Sequence, residues 1–242
     1  MNNLCPITKN PRYYKMKVTL LVPTLSRFDL LKRLLKSEED QTRRADNIII
    51  IDNSNGKLGK LRGQIVSANN LGVAGSWNLG LNMLKDEKDH LLIIGNDDNK
   101  LTPIAIEEFV RLAEENPTHG FFGTHGALFS LFAVRPDIAI KTVGYFDDGF
   151  YPAYYEDNDY HYRMKLAGLD FIYTNKELFE LGVDGAGSQT INSTITSDED
   201  RDMIFKGFQA NKSRYKAKWG GEPHKEKYSS PFNLRSLCTV NK

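Results

Sequence analysis

The sequence predicts an α/β fold in which a mostly parallel sheet carries helices on both faces. Apolar strand-like runs alternate with helix-like segments through residues 17–116, which is the order of a parallel sheet with helical crossovers. These runs are continuously apolar, as expected of strands that are buried on both faces. The length of 242 residues fits one large domain, or one domain with an appendage.

The first strand and helix begin at residue 17. The run KVTLLVP is apolar and ends at Pro23, and Ser26 and Asp29 then have the spacing of a capping box. Leucines repeat at helical intervals after the box, at positions 30, 31, 34 and 35. We therefore expect a strand over 17–23 that leads directly into a helix.

Three more strands and two helices follow. The run NIIII at 47–51 predicts a second buried strand before the loop DNSNGKLG, and QIVSA at 64–68 predicts a short third strand. A glycine-bearing loop then enters a helix with Trp77, Leu81 and Leu84 on one stripe. The strand LLIIG ends in an acidic turn, and Thr102–Pro103 starts the helix AIEEFVRLAEEN.

The second half of the chain is less regular. We predict a strand in ALFSLFAVR (127–135), a helix from about Glu156, and a strand at 170–174. After a glycine-rich loop at 182–188, a charged helix is expected over about 198–218. The basic residues of this helix either close over phosphates or form a solvated face, with Ile204, Phe205 and Phe208 packed on the core. Charge runs usually face water, which favours the second interpretation. The basic residues in question are Lys212, Arg214, Lys216 and Lys218.

Composition narrows the function classes. The formal net charge of +1 gives no electrostatic reason to expect a nucleic-acid binder. Cys5 and Cys238 are the two cysteines and have neither a disulfide framework nor a metal-type spacing. We expect a cytoplasmic protein without a membrane span or secretory signal, and peripheral membrane contact stays open.

Polar side chains follow two of the predicted strands. Asp52 comes directly after the second strand, and Asn96, Asp97 and Asp98 follow the LLIIG strand. In parallel α/β sheets, ligands bind outside the carboxyl ends of the strands. Carboxylate and amide oxygens suit a divalent cation, although Asn and Asp also suit plain turns. The loop LGVAGSWN could approach a phosphate, but it matches neither common glycine-rich motif.

The stretch YYEDNDYHYRMKLAG at 154–168 raises three alternatives for its acids: a solvated helix start, a metal cage, or a catalytic base. A helix that starts near Glu156 turns Tyr160, Met164 and Ala167 toward the core. Asp159 and Arg163 then form an i,i+4 ion pair. Glu156 and Asp157 are explained only in part by the helix dipole, so both are candidates for a general base. His125 and His161 are interpreted as cleft-side or structural.

Taken in order, these segments resemble the inverting glycosyltransferases of family two, which have the GT-A fold. VTLLVPTLSR resembles the opening strand, IIIIDNSNG the base-contacting segment, NNLGVAGSWNLGL the stretch beside the donor, and LLIIGNDDNKLTP the strand with the "DxD" metal motif. VGYFDDGFYPAYYEDNDYHYRMKLAG resembles the segment with the catalytic "ED" pair. The resemblance covers roughly residues 17–190. It implies a Rossmann-like, mostly parallel sheet, a small additional antiparallel element and a C-terminal helical extension.

The resemblance implies a role for each matched residue. Asp157 would be the catalytic base, and Glu156 would orient the acceptor or the base. Asp98 would bind a divalent metal, Mn²⁺ or Mg²⁺, on the donor pyrophosphate. The donor and nucleotide side would comprise Pro23, Thr24, Ser26, Arg27, Asp52, Asn70, Gly72, Asn78, Asn96 and Asp97. The acceptor side would comprise Tyr154, Tyr155 and His125.

Two departures from the family pattern concern the metal. Asn96 occupies the place of the first acid of the motif. The family often has a metal-binding histidine after a late strand, where this chain reads LGVDGAGSQT. Asp184 could take its place, or metal dependence is weaker or altered.

The expected function is metal-assisted transfer of a sugar from a UDP-, dTDP- or GDP-linked donor to a hydroxyl of a glycan, a lipid-linked molecule or another acceptor, with a nucleic acid disfavoured. A binding module without turnover is the alternative. A sugar-nucleotide pyrophosphorylase ranks lower, because VPTLSRFD lacks the glycine of such a phosphate loop. The expected organisation is a polar extension (1–16), a catalytic domain (17–190) and a helical extension (191–242). Within the catalytic domain, 17–100 would bind the nucleotide sugar and 101–190 the acceptor.

Overall fold

The computed structural model describes residues 16–126, 128–181 and 197–234. The strands are β1 (Lys17–Thr24), β2 (Asn47–Asp52), β3 (Gln64–Ser67), β4 (His90–Gly95), β5 (Asn99–Leu101), β6 (Phe121–Thr124), β7 (Leu131–Val134), β8 (Ile172–Thr174) and β9 (Phe179–Leu181). The helices are α1 (Phe28–Glu39), α2 (Gly72–Met83), α3 (Ala105–Glu115), α4 (Pro136–Thr142), α5 (Glu156–Leu166) and α6 (Asp198–Trp219). Two short 3-10 turns lie at Leu128–Ser130 and Pro231–Asn233.

A seven-stranded sheet in the order β3-β2-β1-β4-β7-β6-β8 forms the centre of the molecule. The strands β3, β2, β1 and β4 are parallel, as is the pair β6 and β8, whereas β7 runs antiparallel to β4 and β6. Strands β5 and β9 form a separate antiparallel pair. The predicted fold class, a mostly parallel sheet with a small antiparallel element and a C-terminal helix, is confirmed.

Each face of the sheet has its own hydrophobic core. Alternate residues of β1 point to opposite faces, as the pleat of a strand requires, so Leu20 and Val22 lie in one core and Leu21 in the other. Helices α1 and α3 cover the first face, and α2, α4 and α5 cover the second. The continuous apolar runs of the sequence therefore reflect strands that are buried on both sides.

Helix α6 packs beside the segment that enters α5 rather than on the sheet. A third hydrophobic cluster joins Tyr215 and Trp219 of α6 to Phe150 and Tyr155 of that segment. In the described part of the chain, no helix is long and apolar enough to cross a membrane.

Several local predictions are corrected by the structure. The capping box does not form, because Asp29 instead accepts two hydrogen bonds from Arg27, at 2.9 and 2.7 Å. Among the described residues of ALFSLFAVR, the strand is limited to 131–134, and residues 128–130 before it form a 3-10 turn. Ala167 and Phe205 are exposed rather than packed on the core.

Candidate active site

A cleft of about 620 Å³ opens at the carboxyl ends of β1, β2 and β4. The beginnings of α2 and α5 and the first part of α6 complete its walls. Of the residues predicted for the site, the following line it: Pro23, Thr24, Ser26, Asn70, Gly72, Asn96, Asp97, Asp98, Tyr154, Glu156 and Asp157. Residues far apart in the chain, on the donor side and the catalytic side of the resemblance, thus share one cavity.

Other predicted residues lie outside the cleft lining because their side chains are engaged elsewhere. Asp52 is buried and accepts hydrogen bonds from the amide and the hydroxyl of Ser54. Asn78 is bound to the backbone of Phe146, whose amide donates to it at 2.8 Å and whose carbonyl accepts from it at 2.9 Å. Arg27 is paired with Asp29 as described above.

The two remaining acceptor-side predictions are also outside the lining. The ring of Tyr155 is buried against Phe208 and Tyr215. His125 is exposed and stacks on Tyr173, with ring centroids 4.8 Å apart. Asp184 lies outside the described residues, as does the glycine-rich loop around it.

Two carboxylates stand side by side after β4. The hydroxyl of Thr24 donates to Asp97 at 2.7 Å, but burial dominates and raises the pKa of Asp97 to about 7. Burial also raises the pKa of Asp98. One carboxylate oxygen of Asp98 is buried and has no hydrogen-bond partner among the described residues. A buried acceptor in this state is costly unless a ligand completes it.

These oxygens fit a hard divalent cation. Mg²⁺ and similar ions bind through one or two carboxylates and take their other ligands from substrate phosphates and water. Asp97 and Asp98 supply such a pair, beside the neutral oxygen of Asn96. Within the described ranges, no group of three or more His, Cys, Asp or Glu side chains could hold a metal by itself. The site would therefore depend on the substrate for its remaining ligands.

An unusual backbone turn presents the acids of α5. Tyr154 and Tyr155 both adopt left-handed conformations, with φ of 74° and 73°, which cost non-glycine residues about 1–2 kcal/mol each. Asn211 of α6 donates to the carbonyls of Ala153 and Tyr154, at 2.9 and 3.1 Å. Strain of this kind persists only where the surroundings fix it, and it concentrates at functional sites.

The acids that follow this turn have perturbed pKa values. Glu156 is buried, and burial together with the charge of Asp157 raises its pKa well above the usual range. Asp157 is half-buried, and burial raises its pKa although its carboxylate accepts from the amide of Asn158 at 2.8 Å. Burial and the neighbouring carboxylates raise the pKa of Tyr154 to about 12. Coupled, buried carboxyl groups in a cleft are typical of acid–base sites.

Asp159, the third acid of the stretch, has a structural role. It is fully buried and accepts from Arg163 at 2.9 Å, which confirms the predicted i,i+4 pair. It also accepts from the indole of Trp219 at 2.8 Å and from Lys218 at 2.6 Å. Lys218 in turn bonds Asp147 at 2.7 Å.

The basic residues of α6 therefore do not form one solvated face. Lys218 is buried between two acids, and Arg214 pairs with Asp147 at 3.0 Å. Lys212 and Lys216 do lie at the surface, where both approach Glu222.

The cleft also contains residues that the sequence analysis did not assign to it. Asn53 accepts from the amide of Leu71 at 2.8 Å and thereby orders the start of α2. His161, which was predicted to be cleft-side or structural, does line the cleft, one turn after Asp157 on α5. Other unassigned lining residues are Trp77, Phe129, Ser130, Ile204 and His224. No local pattern signals His224, because it reaches the cleft from the loop after α6.

Comparisons with known proteins agree with this architecture. Residues 19–131 match the family model described as glycosyl transferase family 2. A galactofuranosyl glycosyltransferase of Leishmania donovani is 48% identical over 63 residues, which are 26% of this chain and 14% of that protein. The chain therefore spans a small part of this relative's length.

Solved structures share the fold. TarS of S. aureus superposes with a TM-score of 0.55 at 13% identity, covering 83% of this chain and 43% of TarS. The mannosyltransferase PcManGT of Pyrobaculum calidifontis, in complex with GDP-Man and Mn²⁺, superposes with a TM-score of 0.54 at 14% identity, covering 72% of this chain and 59% of that one. TarS 1–349 in complex with UDP-GlcNAc gives a TM-score of 0.54 at 12% identity, covering 81% of this chain and 72% of that one. Residues 19–131 therefore resemble glycosyl transferase family 2, and the chain shares the GT-A fold of these solved structures.

Proposed function

We propose that the protein is an inverting glycosyltransferase that moves a sugar from a nucleotide-diphosphate sugar to an acceptor hydroxyl, with Asp157 as general base. One observation carries the proposal. Asp97 and Asp98 at the end of β4 and Glu156 and Asp157 at the start of α5 line the same cleft. A sugar transferase needs both groups, one at the leaving diphosphate and one at the attacking hydroxyl.

Asp157 suits the role of base. In an inverting transfer the acceptor oxygen attacks the anomeric carbon, the bond from that carbon to the diphosphate oxygen breaks, and the hydroxyl proton passes to the base. A base works best when its pKa approaches the working pH, and burial raises the pKa of Asp157 in that direction. Burial and the charge of Asp157 raise the pKa of Glu156 well above its usual range, which favours a protonated carboxyl that can donate a hydrogen bond to the acceptor or to Asp157.

Asp98 and Asp97 would hold the divalent cation, Mn²⁺ or Mg²⁺. When bound, such an ion neutralises charge on the departing nucleoside diphosphate. Thr24 fixes the orientation of Asp97 through its hydrogen bond. The nucleotide would then lie toward the ends of β1 and β2, against Pro23 and Asn53, with Asp52 at the end of β2. Two of the structural neighbours are complexes with GDP-Man and UDP-GlcNAc, which belong to the same donor class.

The acceptor would enter beside Tyr154, opposite the donor. The cleft wall there combines aromatic rings with hydrogen-bonding groups, including His161 and Asn158. Such a surface suits the hydroxyls and ring faces of a glycan. A glycan, a lipid-linked sugar and another hydroxyl compound all remain acceptors to be screened.

A binding module without turnover is the second candidate, and Asn96 favours it because a neutral amide weakens the metal site. The deciding experiment incubates the protein with UDP-, dTDP- and GDP-sugars, with Mn²⁺ or with EDTA, and measures hydrolysis, transfer and donor binding. We expect metal-dependent turnover, lost in Asp157→Asn while donor binding persists. Donor binding without turnover in the unaltered protein would establish the module, and neither binding nor turnover would overturn both.

A further inference from the structure

Helix α6 touches the turn that delivers Glu156 and Asp157 to the cleft. Gly207 marks a close approach, since a Cβ atom there would lie 2.3 Å from the ring of Pro152. Glycine is unfavourable inside a helix, so its presence at this point allows the helix backbone to approach the turn. One helical turn further along α6, Asn211 faces the same segment.

Asn211 binds the backbone on both sides of Tyr154. Its amide nitrogen donates to the carbonyl of Ala153 at 2.9 Å and to that of Tyr154 at 3.1 Å. These two carbonyls belong to the peptide planes that precede and follow Tyr154. Fixing both planes fixes the left-handed conformation of Tyr154 and the entry into the left-handed Tyr155. The Asn211 side chain is itself buried.

We propose that Asn211 is a positioning residue for the reaction, acting through the backbone of Tyr154 to hold Asp157 in its catalytic orientation. This inference rests on the proposed function of Asp157. Asn211 is not among the residues that line the cleft. Helix α6 is accordingly a working part of the active site, although its residues lie outside the matched family region.

We expect the rest of α6 to stay docked when Asn211 is replaced. Lys218 and Trp219 bond to Asp159, and Arg214 bonds to Asp147, all of them further along the helix. The loss of the two amide hydrogen bonds should therefore release the turn without releasing the helix. This separation makes the inference testable in a folded protein.

The test uses Asn211→Leu, which keeps the shape but removes the donor, and Asn211→Asp, which turns an acceptor toward two carbonyls. The control is Ser213→Ala, because Ser213 is exposed and its hydroxyl donates to the carbonyl of Gln209 in its own helix, at 3.0 Å. Hydrogen exchange over 151–159 is measured together with kcat, KM and donor affinity. We expect faster exchange in that segment but not in α1, unchanged donor affinity, and a kcat lower by about 100-fold, the loss that follows from a small misplacement of a catalytic group.

Each outcome is decisive. Faster exchange with a kcat like that of the control would overturn the positioning role, and so would a loss of kcat without faster exchange. If hydrogen exchange in the variants is as slow as in the unaltered protein and activity is full, the two hydrogen bonds do not fix the turn, and the proposal is wrong. If the unaltered protein has no turnover, the proposed function fails, and faster exchange still establishes that Asn211 holds the turn.

Discussion

Lys218→Met tests whether a buried ion network anchors α6 to the body of the protein. The Lys218 side chain is 7% exposed, and its ammonium lies 2.6 Å from Asp159 and 2.7 Å from Asp147. Methionine preserves much of the packing volume but leaves two acids with one fewer cation. The substitution therefore isolates the electrostatic contribution.

The magnitude follows from burial and from the remaining partners. Removing one member of a buried ion pair costs about 3–5 kcal/mol. Asp159 keeps Arg163 and Trp219, and Asp147 keeps Arg214, so we expect the lower end, about 3 kcal/mol. For a chain of this size, 1 kcal/mol corresponds to roughly 2–4 °C in Tm, which gives a decrease of roughly 6–12 °C.

The assay is thermal and denaturant unfolding followed by circular dichroism, with Lys216→Met as the matched control. Lys216 lies on the same helix but pairs with Glu222 at the surface, and exposed pairs contribute little. An equal effect of the two substitutions would refute the reasoning, because burial would then not matter.

The same variant has a predictable pH dependence. Burial alone would raise the pKa of Asp147, but hydrogen bonds from Lys218 and Arg214 outweigh it and hold that pKa below its usual range. A carboxyl group whose pKa is lowered on folding stabilises the folded protein at pH values above its unfolded-state pKa of about 3.9. This stabilisation is lost as the pH falls through the pKa of the folded state. The stability difference between the unaltered protein and Lys218→Met should therefore narrow below about pH 4.

Two further predictions concern the turn and the acids that it presents. Gly207→Ala should destabilise the protein by about 1–3 kcal/mol through overpacking against Pro152, measured by denaturant unfolding; a net stabilisation, which helix propensity alone predicts at about 1 kcal/mol, would contradict the close approach. Glu156→Gln should be more stable than the unaltered protein at pH 8 and equal to it near pH 4, measured as Tm. The sign follows because the pKa of Glu156 is raised on folding, so the unaltered protein loses stability as the pH rises through the folded value. A stability difference that does not change with pH would show that folding does not raise the pKa of Glu156.

Much of the sheet and part of the site could be predicted because their signals are local. Continuous apolar runs identified β1, β2 and β4, and their carboxyl ends located Asp97 and Asp98 in the cleft. The acidic first turn of α5 and the pairing of Asp159 with Arg163 also follow from helical spacing. Strands β5 and β9, of three residues each, have too little periodicity to be recognised.

Other features depend on contacts between distant residues, and no local pattern encodes them. The side-chain amide of Asn78 could bind a sugar nucleotide, yet its hydrogen bonds are made to the backbone of Phe146. Lys218 appeared as one member of a solvated charge run, yet it is buried between two acids.

The sequence by itself determined the order of strands β1 to β4 and helices α1 to α3, the edge at which ligands bind, and the acids that meet there, because periodicity and residue chemistry act over a few positions. Only the tertiary structure decided which acids are free for chemistry. Asp159 is bound by side chains of α6, whereas Glu156 and Asp157 reach the cleft through a left-handed turn. Asn211, 57 residues beyond Tyr154, holds this turn in place. Tertiary packing brings these groups together, and their spacing along the chain does not predict that contact.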